Sequence, residues 1–219
     1  MRYPPHNLQT IPMKTRDKIL QTALLLFNEN GVSRLSTRNI SEELGISYGN
    51  LTYHFPRKED IILTLYDQMQ SQINEQFALL EKEIFALNFV LDNLSDLFKI
   101  LRQYKFVYLG FAYLNREFED IRKDTHTQFE YRRNLLYKLA SFMSGNGFLR
   151  PETVAGENKS KIHNLLLIMQ FWITDAEFFY QGEEDRKISY YLEVFYNAVR
   201  PSLTPVALAM FEKNQASIA

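Results

Sequence analysis

Between residues 13 and 200 the chain holds only two prolines, Pro56 and Pro151, and each falls where a helix can begin or end. The interval is filled instead by apolar residues at spacings of three and four, the repeat of a helix with one buried face. Along 15–30, Ile19, Leu20, Ala23, Leu24 and Phe27 form such a stripe, and Gly31 stops it. A short second helix starts at Ser36 or Thr37, turns Ile40 and Leu44 inward, and ends at Gly45, since glycine tolerates the left-handed backbone of a helix terminus. Ser47 caps a third, whose inward pair is Leu51 and Phe55, and a longer helix opens near Pro56. Further helices are predicted near 88–103, 105–117, 119–144, 158–181, 186–200 and 204–213, with turn-forming residues at 144–158, 181–185 and 200–205 between them. Residues 1–13, with three prolines and no periodicity, are expected to be a flexible arm, and "EKE" at 81–83 a solvated face.

Composition narrows the class. With 219 residues the chain can hold one large domain or a small one fused to a larger one, and 46% hydrophobic residues, including 17 Phe, 13 Tyr and one Trp, suffice for a well-buried core. The absence of cysteine excludes disulfides and thiolate metal sites and agrees with a reducing compartment. The longest apolar run, "LLLIM" at 165–169, falls far short of the ~20 residues of a membrane span, so a soluble cytoplasmic protein without membrane contact is expected. Residues 1–60 carry eight Lys or Arg against six acids, whereas 61–219 carry 17 against 20, which permits an anionic partner near the N-terminus without requiring one.

The most informative stretch is "LSTRNISEELGISYGNLTYHF" at 35–55. Two short helices joined by a tight turn at 45–47 and braced by the first helix make a helix-turn-helix. With Leu51 and Phe55 committed to the core, Tyr48, Gly49, Asn50, Thr52 and Tyr53 must face outward. Short polar side chains beside a bare glycine are what a helix entering the major groove needs. Three helix N-termini, at Ser36/Thr37, Ser47 and Pro56/Arg57, offer N–H groups to an anion, and Arg38, Arg57 and Lys58 add charge to the same face. The competing reading is an ordinary solvated helix, and for His54 a histidine bonded within its own domain.

In "ALLLFNENGVSRLSTRNISEELGISYGNLTYHFPRKEDII" the chain resembles the DNA-binding domain of the TetR family of bacterial transcriptional repressors, marked by an aliphatic first helix ending at Gly, a Thr-led second helix, a Gly turn and Tyr-His-Phe before a Lys-Glu pair. The resemblance covers about a quarter of the chain. It implies that Thr37 and Arg38 contact phosphate or base, that Tyr48, Gly49, Asn50 and Thr52 read the groove beside the capping Ser47, and that Tyr53, His54 and Lys58 grip the backbone. Thr52 departs from the aromatic residue many members carry there.

The expected architecture is all-α, of about nine to ten helices: the arm 1–13, a helix-turn-helix domain at 14–60, and a helical effector-binding and dimerisation domain at 61–219. A single head reads one half-site, so a symmetric dimer binding a palindrome is expected. The apolar arcs of 158–181 and 186–200 are too wide for one core-facing stripe and suit a four-helix interface between two copies. The aromatic run from Tyr104 to Phe118 and the second at 129–137 fit either plain core or a pocket. The resemblance favours a pocket for a small apolar or aromatic effector, for which Phe106, Tyr108, Phe111, Tyr113, Phe129, Tyr137 and Trp172 are the candidate residues.

No catalytic constellation is visible. His6, His54, His126 and His163 lack the acidic partners of metal-binding helix motifs, and Gly145-Asn146-Gly147 follows a helix rather than a strand. No enzyme, metal or cofactor is expected. The rival class is a helical interaction or small-molecule-binding protein whose head does not bind DNA.

Overall fold

The computed structural model describes residues 14–82 and 87–215, and side chains at 81–82, 87–92 and 211–215 are left aside. The expected arm at 1–13 and part of the "EKE" run lie outside the described residues. Among the described residues there are eleven α-helices and no strand, only an isolated bridge between Leu149 and Leu203. The described residues divide into two compact units, one up to Leu65 and one from Tyr66 onward.

In the first unit, α1 (Thr15–Asn30) is followed by a 3-10 turn at Val32–Arg34, then α2 (Thr37–Leu44), α3 (Tyr48–His54) and the opening turns of α4 (Lys58–Lys82). The stripe read from the sequence is the buried one: Ile19, Leu20, Ala23 and Phe27 of α1 are buried, as are Ile40, Leu51, Phe55, Ile61 and Ile62 of the following elements. Burying side chains of this size contributes roughly 1.5 to 3 kcal/mol each, which is what holds three short helices that would not persist alone. The helix ends are closed locally. Ser36 Oγ accepts the Asn39 N–H while Asn39 Oδ1 accepts the Ser36 N–H, a reciprocal cap on α2. At its other end Gly45 is left-handed (φ 68°, ψ 29°), and Ile46 N–H reaches back to Ser41 O at 3.0 Å. Pro56 stands two residues before α4 rather than in its first turn: Arg57 immediately precedes the helix, with its N–H on Asp60 Oδ2 at 3.0 Å.

The second unit contains α5 (Leu87–Gln103), α6 (Lys105–Leu109), α7 (Phe111–Glu117), α8 (Glu119–Gly145), α9 (Glu157–Phe179), α10 (Lys187–Val199) and α11 (Pro205–Gln215) beside the rest of α4. Its core is aromatic. Phe98 stacks on Trp172 at 5.0 Å, and Phe195 and Tyr191 close round them at 6.1 Å from Phe98 and 5.4 Å from Trp172. The helix expected over 105–117 is two, α6 and α7, because the backbone turns at Gly110 until a Cβ there would stand 2.9 Å from the Phe106 carbonyl oxygen. No helix among the described residues is long and apolar enough to cross a membrane.

Candidate functional site

The third helix is seven residues long and held from one side. Leu51 is fully buried and Phe55 nearly so, with the Arg16 guanidinium 4.8 Å above the Phe55 ring. Ser47 Oγ accepts the Asn50 N–H at 3.2 Å, which caps the helix while leaving Ser47 exposed. The remaining positions therefore rotate outward: Tyr48, Gly49 and Asn50 are exposed, and Tyr53 is 83% exposed. The Asn50 side-chain amide makes no hydrogen bond with the described residues, so its donors and acceptor are all available to a partner. Exposed Arg38 lies 5.6 Å over the Tyr48 ring, which brings α2 and α3 side chains onto one surface with half-buried Thr37. His54 is half-buried with its ring edge-on to Tyr53 at 5.2 Å, and it forms no hydrogen bond to another described residue. The sequence reading of a histidine bonded within its own domain is not what the geometry shows.

Three expectations change in detail. Thr52 is half-buried, and its Oγ1 donates back to Tyr48 O at 3.1 Å and Gly49 O at 3.2 Å, so its hydroxyl proton is used inside the helix. Arg57 is not a free charge. It pairs with Asp60 at 2.9 Å, a hydrogen bond that holds the Asp60 carboxyl below the usual carboxylate range. Lys58, assigned by resemblance to the DNA backbone, is first of all a brace: its Nζ donates to Val32 O at 3.2 Å and Leu35 O at 3.0 Å, tying the first turn of α4 to the turn before α2. One of its three N–H groups stays open to an anion. Replacing Lys58 with methionine is expected to lower the unfolding free energy of the first unit by about 1 to 3 kcal/mol, the range for hydrogen bonds to a charged donor that is only partly shielded. Denaturant titration followed by amide exchange in residues 15–62 measures it, and an unchanged midpoint would remove the brace from the account.

The second unit contains a cavity of about 390 Å³ lined by residues of α4 to α9, inside the range of small-molecule sites at about 300–1,000 Å³. Of the seven candidate pocket residues, Tyr108, Phe111 and Phe129 line it. Phe106, Tyr113, Tyr137 and Trp172 do not: Phe106 and Trp172 are core, Trp172 through its stack with Phe98, and Tyr113 and Tyr137 are half-buried elsewhere. Polar residues of the wall include Tyr66, Gln70 and Arg132, none of them among the seven candidates. The signal was there for Arg132, since Ile121, Thr125, Gln128, Arg132, Leu135 and Leu139 recur at three and four along α8 and place it on the inward stripe. Among the described residues no group of three or more His, Asp or Glu is gathered to hold a metal.

Comparison with known proteins agrees with this geometry. Residues 19–65 match the family model described as bacterial regulatory proteins, tetR family, and residues 68–211 match the TetR model described as bacterial transcriptional repressor. The chain is 36% identical over 88 residues to the HTH-type transcriptional regulator AcrR of Shigella flexneri, covering 40% of this chain and 39% of that one. It is 31% identical over 91 residues to the regulator UidR of Escherichia coli K12, covering 42% and 46%. The matched stretch thus spans less than half the length of these curated relatives. A TetR-family transcriptional regulator from Marinobacter aquaeolei VT8, solved by crystallography, superposes with a TM-score of 0.78 at 25% identity over 92% of this chain and 99% of the other. A polar, outward-turned third helix on a helix-turn-helix, a larger helical unit after it in the chain and two family models that together span residues 19–211 have one common source: this chain belongs to the TetR family of bacterial transcriptional regulators.

Proposed function

We propose that the chain is a cytoplasmic repressor that binds a palindromic DNA operator as a homodimer and leaves it when a small molecule occupies the cavity of the second unit. One observation carries the DNA reading: Leu51 and Phe55 are buried while Tyr48, Gly49 and Asn50, on the same short helix, are bare to solvent. In this reading Tyr48, Gly49, Asn50 and Thr52 enter the major groove, with Asn50 supplying a donor and acceptor pair and Thr52 a methyl. Thr37, Arg38, Ser47, Tyr53, His54 and the open N–H of Lys58 meet phosphates. Residues 14–60 are the reading head, and 61–219 bind effector and dimerise.

The dimer contact falls to α9 and α10. On α9 Asn164, Leu167, Phe171, Thr174 and Phe178 alternate at three and four, the spacing of a helix seam, and of these Leu167 and Phe171 also border the cavity. Leu167 is 41% exposed, Phe171 46% and Phe178 71%, with Tyr190 and Val194 exposed on α10. Large apolar side chains in that register support a partner helix pair from a second copy.

The test is selection of bound duplexes from a random library followed by titration in salt. A palindrome with half-sites one or more turns of about 34–36 Å apart is the expected outcome. Asn50→Ala should relax preference at one position per half-site by about 1 to 3 kcal/mol. Arg38→Ala should weaken every sequence alike and flatten the log-log salt slope by about one. Absence of both enrichment and salt dependence would leave a helical small-molecule-binding protein instead.

A further inference from the structure

We infer that the cavity of the second unit takes an apolar molecule that ends in a carboxylate, and that Arg132 is the residue that holds the carboxylate. The inference takes its cavity from the reading above, but binding itself stands or falls without DNA.

Most of the wall is apolar, formed by residues such as Met69, Ile73, Phe77, Leu101, Ile121 and Phe129. Its ionisable members are Tyr66, Tyr108, Arg122, His126 and Arg132, and no Asp or Glu lines it. Arg122 is 60% exposed at its side chain and lies 4.0 Å from Glu119, so its charge is met at the surface. Arg132 is different. One of its terminal nitrogens donates to Gln70 Oε1 at 2.7 Å, its guanidinium lies 5.4 Å over the Phe77 ring, and its Nε is buried without any hydrogen-bond acceptor. Burial lowers its pKa, against the pull of Tyr108, Tyr66 and Asp124 nearby.

Asp124 does not answer the charge directly. Its two oxygens accept the Tyr66 hydroxyl at 2.9 Å and Gln128 Nε2 at 3.1 Å. Tyr66 in turn accepts Gln70 Nε2 at 2.6 Å, which aims the Gln70 carbonyl at Arg132. The relay from Asp124 through Tyr66 and Gln70 thus fixes one N–H of the guanidinium and leaves others, including the buried Nε–H, without an acceptor. A cation partly stripped of water and short of acceptors is costly, and an anion that enters the cavity recovers that cost. The planar fork of arginine fits the two oxygens of a carboxylate, and the surrounding Met, Ile, Leu and Phe surface fits an apolar body. A cationic molecule would be repelled here, and a neutral one would leave the guanidinium unmet.

The experiment is calorimetric titration of the full chain with three probes of one chain length, octanoate, 1-octanol and octyltrimethylammonium. Octanoate should bind roughly 10- to 100-fold more tightly than octanol, the factor set by a hydrogen-bonded charge pair, with octyltrimethylammonium weakest. Arg132→Met should abolish that preference while keeping octanol binding, and Arg132→Gln, which keeps the hydrogen bond to Gln70 within reach, should do the same if the methionine variant folds poorly. Equal binding of octanoate and octanol, no binding of octanoate, or a preference that survives both substitutions would overturn the assignment. Operator binding of the ligand-free chain is measured in parallel: its failure would end the repressor reading and leave the carboxylate site standing.

Discussion

A Leu167→Asp/Phe178→Asp double variant is expected to be monomeric and to lose roughly 100- to 10,000-fold in operator affinity, the range by which two linked contacts exceed one. Both side chains are exposed on α9, at 41% and 71%, and although Leu167 also borders the cavity, neither belongs to the buried core of the second unit. In a symmetric dimer each substitution is repeated across the axis, and four carboxylates brought into one apolar seam repel each other as well as losing their packing. Sedimentation velocity gives the oligomeric state, and titration with a full palindrome and with a single half-site separates avidity from damage to the head. Half-site affinity should hold constant. A variant that stays dimeric, or a monomer that binds the palindrome as tightly as before, would move the interface away from α9.

Leu51→Ala should abolish DNA binding on every sequence by unfolding the reading head. The side chain is fully buried between the first three helices, and truncating such a leucine costs about 2 to 5 kcal/mol. A unit of this size, whose described residues are 14–65, carries only a few kcal/mol in reserve, since small domains bury a small fraction of their surface. Amide exchange should therefore rise throughout residues 15–62 while protection of α8 and α9 persists. Its neighbour Asn50→Ala touches no core atom and should leave exchange unchanged while altering base preference. Two adjacent positions with opposite phenotypes are the signature of a helix with one face in the protein and one in the groove. Native DNA affinity in Leu51→Ala would break that assignment.

The first unit was legible in the sequence because its signals are local. The glycine at 45, the serines at 36 and 47 and the inward pairs at three and four fix the ends and faces of α1 to α3 without reference to anything distant. What escaped there were bonds across the chain: Lys58 to Val32 and Leu35 spans more than twenty residues, and nothing in the local pattern distinguishes a bracing lysine from a phosphate-binding one. Thr52 escaped for the opposite reason, since a hydroxyl that turns back on its own helix reads as polar in any composition. In the second unit the aromatic residues that suggested a pocket divide between wall and core according to which neighbour each one meets. Phe129 faces the cavity and Trp172 stacks on Phe98, a distinction that depends on α5 and α8 packing and not on residue type. Arg132 shares its α8 stripe with apolar residues, so its burial follows from helical spacing and not from residue type.

The closed hydrogen bonds of Thr52 have an evolutionary consequence. With its hydroxyl proton bonded inside the helix, Thr52 has no donor left for a partner, so exchange for valine leaves the outward donor count of the head unchanged. In the proposed DNA reading Asn50, whose side-chain amide meets no described residue, has no such neutral substitute, and lineages that change it would have to change their operators with it.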